Sequence, residues 1–252
     1  MAEAAVLPDV GLYFYGVVPA GTDVAGLHGL DDVEVEAVEH GGLSAVVSKL
    51  SLDRPPGRSA ELVAHARVVD ALAAVTDVVP AQFGSALDND LTEVAGFLDD
   101  EGDRFRSALN RLGGKVQLNL RASYEPDQVL AELVRQDPLV AELRSRTREL
   151  PAGLPHPDLV RLGEAVSRGL TLKRVEDAES LLDVVLPHVS EHVQRPGGEY
   201  DVLDAALLVE RSATTALEQA LEDLAEVVHE RIRMRLVGPV APYDFVEDLT
   251  WA

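Results

Sequence analysis

Hydrophobic and polar positions alternate with the two-residue period of strands at the start of the chain. The stretch GLYFYGVV (11–18) is rich in aromatic and β-branched residues, which predicts a buried strand. In residues 33–50 two further segments are separated by Gly41 and Gly42, and this arrangement predicts a β-hairpin. The first of these segments alternates valine and alanine with glutamate, so we expect its strand to show one face to water.

The apolar spacing then changes to the three- and four-residue spacing of helices. Ser59 is predicted to cap one helix, and Asp90 is predicted to open a second helix that ends at Gly113. Between them, VVPAQFG (78–84) is too short for another helix and contains Pro80, which lacks a backbone donor. We therefore predict a strand whose N-terminal part lies outside the hydrogen-bonded ladder. Its glycine would serve a bulge or a close backbone approach.

The second half of the chain repeats this succession of strand and helix patterns. KVQLNLR (115–121) alternates strictly, which predicts a strand with its valine and leucines inward and its glutamine and other polar residues outward. A helical excursion follows over about 126–187. HVSEHV (188–193) is weakly strand-like, and DVLDAALLVE (201–210) is a near-continuous apolar run typical of a central strand. An amphipathic helix and the alternating RIRMRLV (231–237) complete the pattern.

These patterns predict an α+β protein with two α/β domains. The N-terminal domain, residues 1–113, has the order βββαβα. The C-terminal domain, residues 114–252, has the order βαββαβ, which is a ferredoxin-like plan with an enlarged helical first crossover. A C-terminal tail, residues 238–252, follows the last strand, and we place the domain boundary near Gly113.

The composition excludes several functional classes. The 252 residues carry a formal net charge of −22. Such a surface repels nucleic acids and anionic membranes, so we expect neither as a partner. The absence of cysteine excludes disulfides, thiolate catalysis and zinc–thiolate sites. The sequence has no signal-peptide pattern and no apolar run of membrane-spanning length, so a cytoplasmic protein is expected.

No sequence motif indicates catalysis, a cofactor or a metal. A dinucleotide-binding glycine pattern, a phosphate-binding loop and a nucleophile elbow are all missing. His188 and His192 could hold a metal only from one helix with a third ligand, and we interpret them as ordinary polar residues. His65 lies near the apolar stripe of its helix, which favours a packed, hydrogen-bonded core histidine over a catalytic base. We therefore expect a protein that is not an enzyme and has no cofactor.

Basic side chains concentrate on two predicted strands. Arg231, Arg233 and Arg235 share one face of the last strand, and Lys115 and Arg121 share one face of the strand that opens the C-terminal domain. A ferredoxin-like order would make these strands neighbours, which predicts a basic patch on an acidic protein. Two alternatives follow: acidic residues from elsewhere in the chain cover the patch, or it docks an acidic partner segment.

Four stretches, taken in order, carry a family resemblance. LYFYGVV (12–18) is similar to an opening aromatic strand, and HARVVDAL before VVPAQFGSAL (78–87) is similar to a histidine-containing helix followed by V-L-P-x-R-F-G. VLDAALLVERS (202–212) is similar to V-L-N-A-A-F-L-V-D-R, and RLVGPVAPYDFV (235–246) is similar to G-P-W-P-P-Y-x-F-V. These are motifs of the gas vesicle protein F/L family, which the chain therefore resembles over most of its length.

The chain departs from that family pattern at a few positions. Gln82 stands where the family usually has arginine before Phe-Gly, and Val240 and Ala241 stand where it has Trp-Pro. A Gly-x-x-Tyr-Leu stretch is not evident near residues 150–165. Both the F-like and the L-like subfamily therefore stay open.

The resemblance implies an accessory protein that assists gas vesicle assembly, or a minor component of the vesicle. The implied partners are the small, very hydrophobic major shell protein and other accessory gas vesicle proteins. A shell subunit has an apolar face that would aggregate before polymerisation, and a highly charged binder could cover that face.

We expect contacts through exposed apolar surface, the basic strand face or the C-terminal tail. Aromatic residues concentrate in the tail at Tyr243, Phe245 and Trp251, where they either cap the core of the first domain or project as anchors for a partner. The predicted partner-binding residues are Arg231, Arg233, Arg235, Tyr243 and Phe245.

The rival class is a ferredoxin-like small-molecule-binding protein or enzyme that uses its open sheet face. A deep pocket lined by Arg231 or Arg233 would favour that class.

Overall fold

The computed structural model describes residues 10–51, 54–87, 90–150 and 156–246. These residues form two compact units. One contains the described residues up to Gln117 together with those from Gly238 onwards, and the other runs from Leu118 to Val237. The division differs from the predicted one, because the described part of the tail belongs to the first unit and not to the second.

The first unit contains an antiparallel sheet built around its opening strand. The strands are β1 (Val10–Pro19), β2 (Glu36–His40), β3 (Leu43–Ser51), β4 (Val79–Pro80) and β5 (Ala86–Leu87). Their order is β2-β3-β1-β4, and β5 also pairs with β1. The predicted hairpin is confirmed, since Gly41 and Gly42 connect β2 and β3 with positive φ angles of 58° and 84°.

The segment VVPAQFGSAL does not form one continuous strand. Val79 and Pro80 pair with β1, the chain leaves the ladder, and Ala86 and Leu87 return to the same edge of β1. The bulge lies in β1 itself, where the pairing register with β3 shifts between Phe14 and Gly16. A Cβ at Gly16 would lie 2.4 Å from the carbonyl oxygen of Val79, so only glycine allows this approach.

The α-helices that accompany this sheet in the described residues are α1 (Ser59–Val75), α2 (Leu91–Asp100) and α3 (Gly102–Leu112). The single helix predicted after Asp90 is therefore two helices. The break falls at Glu101, whose backbone leaves the helical region at φ −99° and ψ 2° just before a glycine. Glycine has a low helix propensity, so a change of direction costs little there.

In its described residues, the second unit combines a four-stranded sheet with four α-helices. The strands are β6 (Lys115–Tyr124), β7 (Glu191–Gln194), β8 (Asp201–Glu210) and β9 (Ile232–Val240), in the order β7-β8-β6-β9. The helices are α4 (Pro126–Gln136), α5 (Pro138–Thr147), α6 (Pro157–Val185) and α7 (Thr214–Val228). The core lies where β6 and β8 pack against the helices, with Leu118, Leu207 and Leu217 among its buried residues.

The predicted outward position of Gln117 on β6 is wrong. Val116, Leu118 and Leu120 are buried as expected, but Gln117 is also buried, with only 2 % of its surface exposed. Its Nε2 donates to Oδ2 of Asp244 at 2.6 Å, and its Oε1 accepts from the backbone N–H of Asp244 at 3.2 Å. The carboxamide can be buried because both of its ends are hydrogen-bonded.

The start of α5 gives a direct test of local helix capping. Asp137 accepts hydrogen bonds from the backbone N–H groups of Leu139 at 2.8 Å and Val140 at 3.3 Å. Asp137→Ala is expected to lower the free energy of unfolding by about 1 kcal/mol, whereas Asp137→Asn keeps the acceptor and should lower it by only a few tenths. Urea titration followed by circular dichroism measures both. Equal losses in the two variants would contradict the capping role.

Candidate functional site

The predicted basic face of β9 is partly neutralised by acidic residues. The Arg231 guanidinium donates to both carboxylate oxygens of Asp177, at 2.5 and 2.6 Å, and lies 3.8 Å from Glu132. Arg233 lies 2.5 Å from the carboxylate of Glu125. Among the described residues Arg235 forms no ion pair, and its side chain is exposed. Of the three arginines on this face, only Arg235 therefore keeps an uncompensated charge.

The neighbouring strand β6 contributes less positive charge than predicted. Arg121 donates to Asp201 through Nε at 3.1 Å and Nη2 at 2.8 Å, and this contact lowers the pKa of Asp201. Lys115 donates from Nζ to the carbonyl oxygen of Arg111 at 2.7 Å. The first of the two alternatives, in which acidic residues cover the patch, therefore describes most of this surface. A partner-binding role of the β9 arginines stays a prediction.

Asp177 is the centre of a polar network in the second unit. Besides Arg231, it accepts a hydrogen bond from the hydroxyl of Tyr124 at 2.6 Å. The Arg231 guanidinium also lies 6.0 Å from the centre of the Tyr124 ring. Burial would raise the pKa of Asp177, but the hydrogen bonds from Arg231 and Tyr124 outweigh burial and lower it. Asp177 is therefore a charged, fully engaged carboxylate, which indicates a structural role.

The described part of the tail packs on the first unit. Phe245 is only 5 % exposed, and its carbonyl oxygen accepts a hydrogen bond from Arg111. The backbone N–H of Ala241 donates to Oδ1 of Asp70 at 2.9 Å. Tyr243 packs against the core cluster and is half-buried. These contacts match the core-capping alternative for Tyr243 and Phe245, while Trp251 lies outside the described residues.

His65 joins the tail to the opening strand. Its ring is 2 % exposed, with Nδ1 at 2.9 Å from the hydroxyl of Tyr13 and Nε2 at 2.9 Å from the hydroxyl of Tyr243. The ring stacks on Tyr15, with 5.7 Å between the ring centres. Burial lowers the pKa of His65 to about 4, so the imidazole is neutral at pH 7. It is a packed, hydrogen-bonded core histidine, as the sequence favours.

Sequence reasoning missed this Tyr13–His65–Tyr243 network as a unit. The three residues come from a strand, a helix and the tail, and no spacing rule connects them. A signal was nevertheless present, because each lies in one of the motifs that carry the family resemblance.

The two histidines considered as metal ligands do not share a helix. His188 ends a short 3₁₀ turn, whereas His192 lies in β7. Within residues 10–51, 54–87, 90–150 and 156–246, no cluster of histidine, aspartate and glutamate is arranged to hold a metal ion.

Two of the open cavities formed by the described residues lie in the first unit. The larger, of about 460 Å³, is bordered by α1 and by the loop from Gly26 to Asp32, and the smaller, of about 370 Å³, is lined by Arg54 and Arg58. Glu61 borders both cavities, and there it accepts hydrogen bonds from Arg54 and from the backbone N–H groups of Arg58 and Gly57. These bonds lower the pKa of Glu61 to about 2. Neither of these two cavities is lined by Arg231 or Arg233, the lining that would favour the rival class.

Large apolar side chains are exposed along α1. Leu62, Val63 and Val75 are exposed by 50 %, 55 % and 75 %. This helix carries few charged residues, which are Glu61, Arg67 and Asp70, and Glu61 is paired with Arg54. In a chain of net charge −22, this helix therefore presents an unusually apolar surface. In the part of the chain that the structure describes, no helix is both long and apolar enough to cross a bilayer.

Comparison with known proteins agrees with the resemblance in the sequence. The sequence profile described as gas vesicle synthesis protein GvpL/GvpF matches residues 11–247. Gas vesicle protein F of a Streptomyces species is 27 % identical over 93 % of this chain and 99 % of its own length. Gas vesicle protein L of the same organism is 28 % identical over 92 % of this chain and 88 % of its own length.

The fold is also shared with a solved structure. The crystal structure of gas vesicle protein GvpF from an Anabaena species superimposes with a TM-score of 0.80 at 21 % sequence identity, covering 94 % of this chain and 98 % of that one. The profile match extends over nearly the whole chain, and the chain therefore belongs to the GvpL/GvpF family of gas vesicle synthesis proteins.

Proposed function

We propose that this protein is a non-enzymatic assembly factor of gas vesicles, which binds the major shell protein and other accessory proteins in the cytoplasm at the growing vesicle. The observation that carries the proposal is the family match over residues 11–247. A shell subunit must keep its apolar face out of water until it is incorporated. A soluble, strongly charged protein with a limited apolar surface is suited to shield that face.

Two surfaces are proposed to bind these partners. The exposed leucine and valines of α1 supply an apolar contact for the shell protein. Arg235 on β9 supplies an exposed basic contact for an acidic accessory protein, whereas Arg231 is already bound to Asp177 and Arg233 to Glu125. Tyr243 and Phe245 contribute by holding the tail on the first unit.

The second unit is inferred to have the ferredoxin-like topology. The observed strand order β7-β8-β6-β9 and the element order βαββαβ support this inference. In that plan the helical excursion supplies Asp177 and Glu132, which occupy the Arg231 end of β9. The sheet therefore serves as a scaffold and not as an open binding pocket.

Co-expression with the major shell protein tests the proposed function. The tagged chain is expected to keep the shell protein in the supernatant after centrifugation and to carry it through affinity purification. A Leu62→Ser/Val63→Ser variant should recover less of it, because it loses exposed apolar surface without touching the core. An Arg104→Ser variant, altered on another exposed helix surface, is the control.

The proposal fails if the shell protein pellets to the same extent with and without the wild-type chain. It also fails if the purified chain turns over a small molecule, since that result would replace binding with catalysis.

A further inference from the structure

The larger of the two cavities described above is a groove with an apolar floor. One wall is the loop from Gly26 to Asp32, and the other is α1. The helix contributes Ala60, Ala64, Val68 and Ala71 to the lining, and these residues follow one another at three- or four-residue spacing. They therefore lie along one side of α1. Because three of them are alanines, another backbone could come close to the helix axis.

The apolar side of α1 continues beyond the cavity. Val75 follows Ala71 by four residues and so lies on the same side of the helix. It is 75 % exposed, although it is the last residue of the helix and could have been polar without disturbing the core. The apolar strip thus extends from Ala60 to Val75, nearly the whole of α1, or about 25 Å at the rise of an α-helix. That length matches about four to five turns of a second helix.

The two rims of the groove carry opposite charges. Asp31 and Asp32 lie on the loop side, and both are exposed. Among the described residues neither carboxylate forms an ion pair. Both aspartates line the edge of the groove, and their backbone φ angles of 52° and 61° belong to the left-handed region. Arg67 lies on the helix side and is also exposed. A ligand in the groove would meet the two aspartates on one flank and the Arg67 guanidinium on the other, where Glu61 also lines the groove but is already bound to Arg54.

We propose that this groove binds an amphipathic helix of the major shell protein. The apolar stripe of that helix would pack on the alanines of α1, with lysine or arginine opposite Asp31 and Asp32 and an acidic or polar residue opposite Arg67. Helix-in-groove recognition joins apolar anchors to flanking charges in this way, and the opposite rims fix the direction of the bound helix. This proposal rests on the proposed function, because that function supplies the partner.

Two groove variants and two matched controls test the site. Asp31→Asn/Asp32→Asn removes the acidic rim while keeping a residue type that tolerates positive φ, and Glu218→Gln/Glu222→Gln removes two exposed charges from α7 as its control. Ala71→Trp fills the groove. Val227→Trp places the same side chain on an exposed position of α7, a helix of the second unit, and is the control. Circular dichroism and thermal melting check that each variant folds like the wild type.

Two probes separate the groove from the proposed function. The first is the major shell protein fused to a solubility partner. The second is a fluorescent leucine–lysine peptide of about 18 residues with amphipathic helical spacing, together with its leucine–glutamate counterpart. Affinity is measured by fluorescence anisotropy. We expect Ala71→Trp to weaken binding of the shell protein and the lysine peptide by about tenfold or more. The double asparagine variant should weaken binding by about three- to tenfold, and neither control should change it.

Each other outcome has a definite meaning. If the shell protein binds the wild type and the groove variants equally, the groove is not its binding site, and the proposed assembly role stands. If the lysine peptide binds in the groove but the shell protein does not bind at all, the groove stands as a helix site and the assembly role is wrong. If the wild type binds neither probe, both proposals are overturned. A preference for the glutamate peptide overturns the assigned charge pattern.

Discussion

Replacing His65 by alanine is expected to lower the free energy of unfolding of the first unit by about 3–4 kcal/mol. The substitution removes a buried ring that contacts Tyr13, Tyr15 and Phe83, and a cavity replaces those contacts. It also leaves the hydroxyl of Tyr243 without its hydrogen-bond partner. The hydroxyl of Tyr13 still accepts from the backbone N–H of Gly84 at 3.0 Å, so it loses only one of its two bonds.

Near-ultraviolet circular dichroism during urea unfolding measures this loss. Three of the five tyrosines, Tyr13, Tyr15 and Tyr243, belong to the first unit, so the tyrosine signal reports mainly on its packing. Tyr243→Phe is the matched comparison, because it removes one hydrogen bond and no ring, and we expect it to cost about 1 kcal/mol. A loss below about 1 kcal/mol for His65→Ala would show that the ring is not part of the cooperative core.

The lowered pKa of His65 predicts how the free energy of unfolding depends on pH. Its pKa is about 4 in the folded protein and about 6.5 in an unfolded chain. Between these values the unfolded state binds more protons, so the free energy of unfolding falls as the pH falls from 6.5 towards 4. The stabilisation is complete above pH 6.5 and amounts to about 3 kcal/mol. His65→Ala should flatten this part of the stability profile. A variant profile as steep as that of the wild type would assign the slope to the carboxylates instead.

Patterns confined to one element could be predicted from the sequence. The predicted strand at residues 201–210 coincides with β8, because a ten-residue apolar run flanked by turn residues fits a strand buried on both faces. The helix predicted after Ser59 corresponds to α1, but the N-cap position is occupied by Arg58 and not by Ser59. In both elements the period of the hydrophobic residues in the sequence matches the faces that are buried in the structure.

Contacts between distant residues could not be predicted in this way. Gln117 alternates with leucines like any outward residue, and only its bond to Asp244, far along the chain, explains its burial. The tail was assigned to the second domain because it follows β9 in sequence, yet Tyr243 reaches His65. Charge pairing has the same limit, since the sequence leaves open whether acidic residues cover the arginines of β9, and only the packing of α4 and α6 brings Glu132 and Asp177 to Arg231.

Replacing Asp177 by alanine is expected to lower the free energy of unfolding of the second unit by about 2–3 kcal/mol. The carboxylate accepts two hydrogen bonds from Arg231 and one from Tyr124. Its removal leaves the buried Tyr124 hydroxyl without a partner and the partly buried guanidinium with only the Glu132 carboxylate at 3.8 Å. Breaking a fully buried ion pair costs about 3–5 kcal/mol, and the partial exposure of Arg231 places the expected loss below that range.

Two further variants distinguish charge from packing at Asp177. Asp177→Asn keeps the size of the side chain and an acceptor for Tyr124 but loses the charge, so it should retain about half of the stability that alanine loses. Asp183→Ala, an exposed acidic residue on the same helix, should change stability by less than about 0.5 kcal/mol. Hydrogen exchange of the β8 amides measures all three, because these amides lie in the core of the second unit. If Asp177→Ala lowered the stability no more than Asp183→Ala does, the contact with Asp177 would contribute little and Glu132 alone would hold Arg231. The Arg231 guanidinium would then be available to a partner. The arginines of β9 can serve as a docking surface only to the extent that Asp177 does not already occupy them.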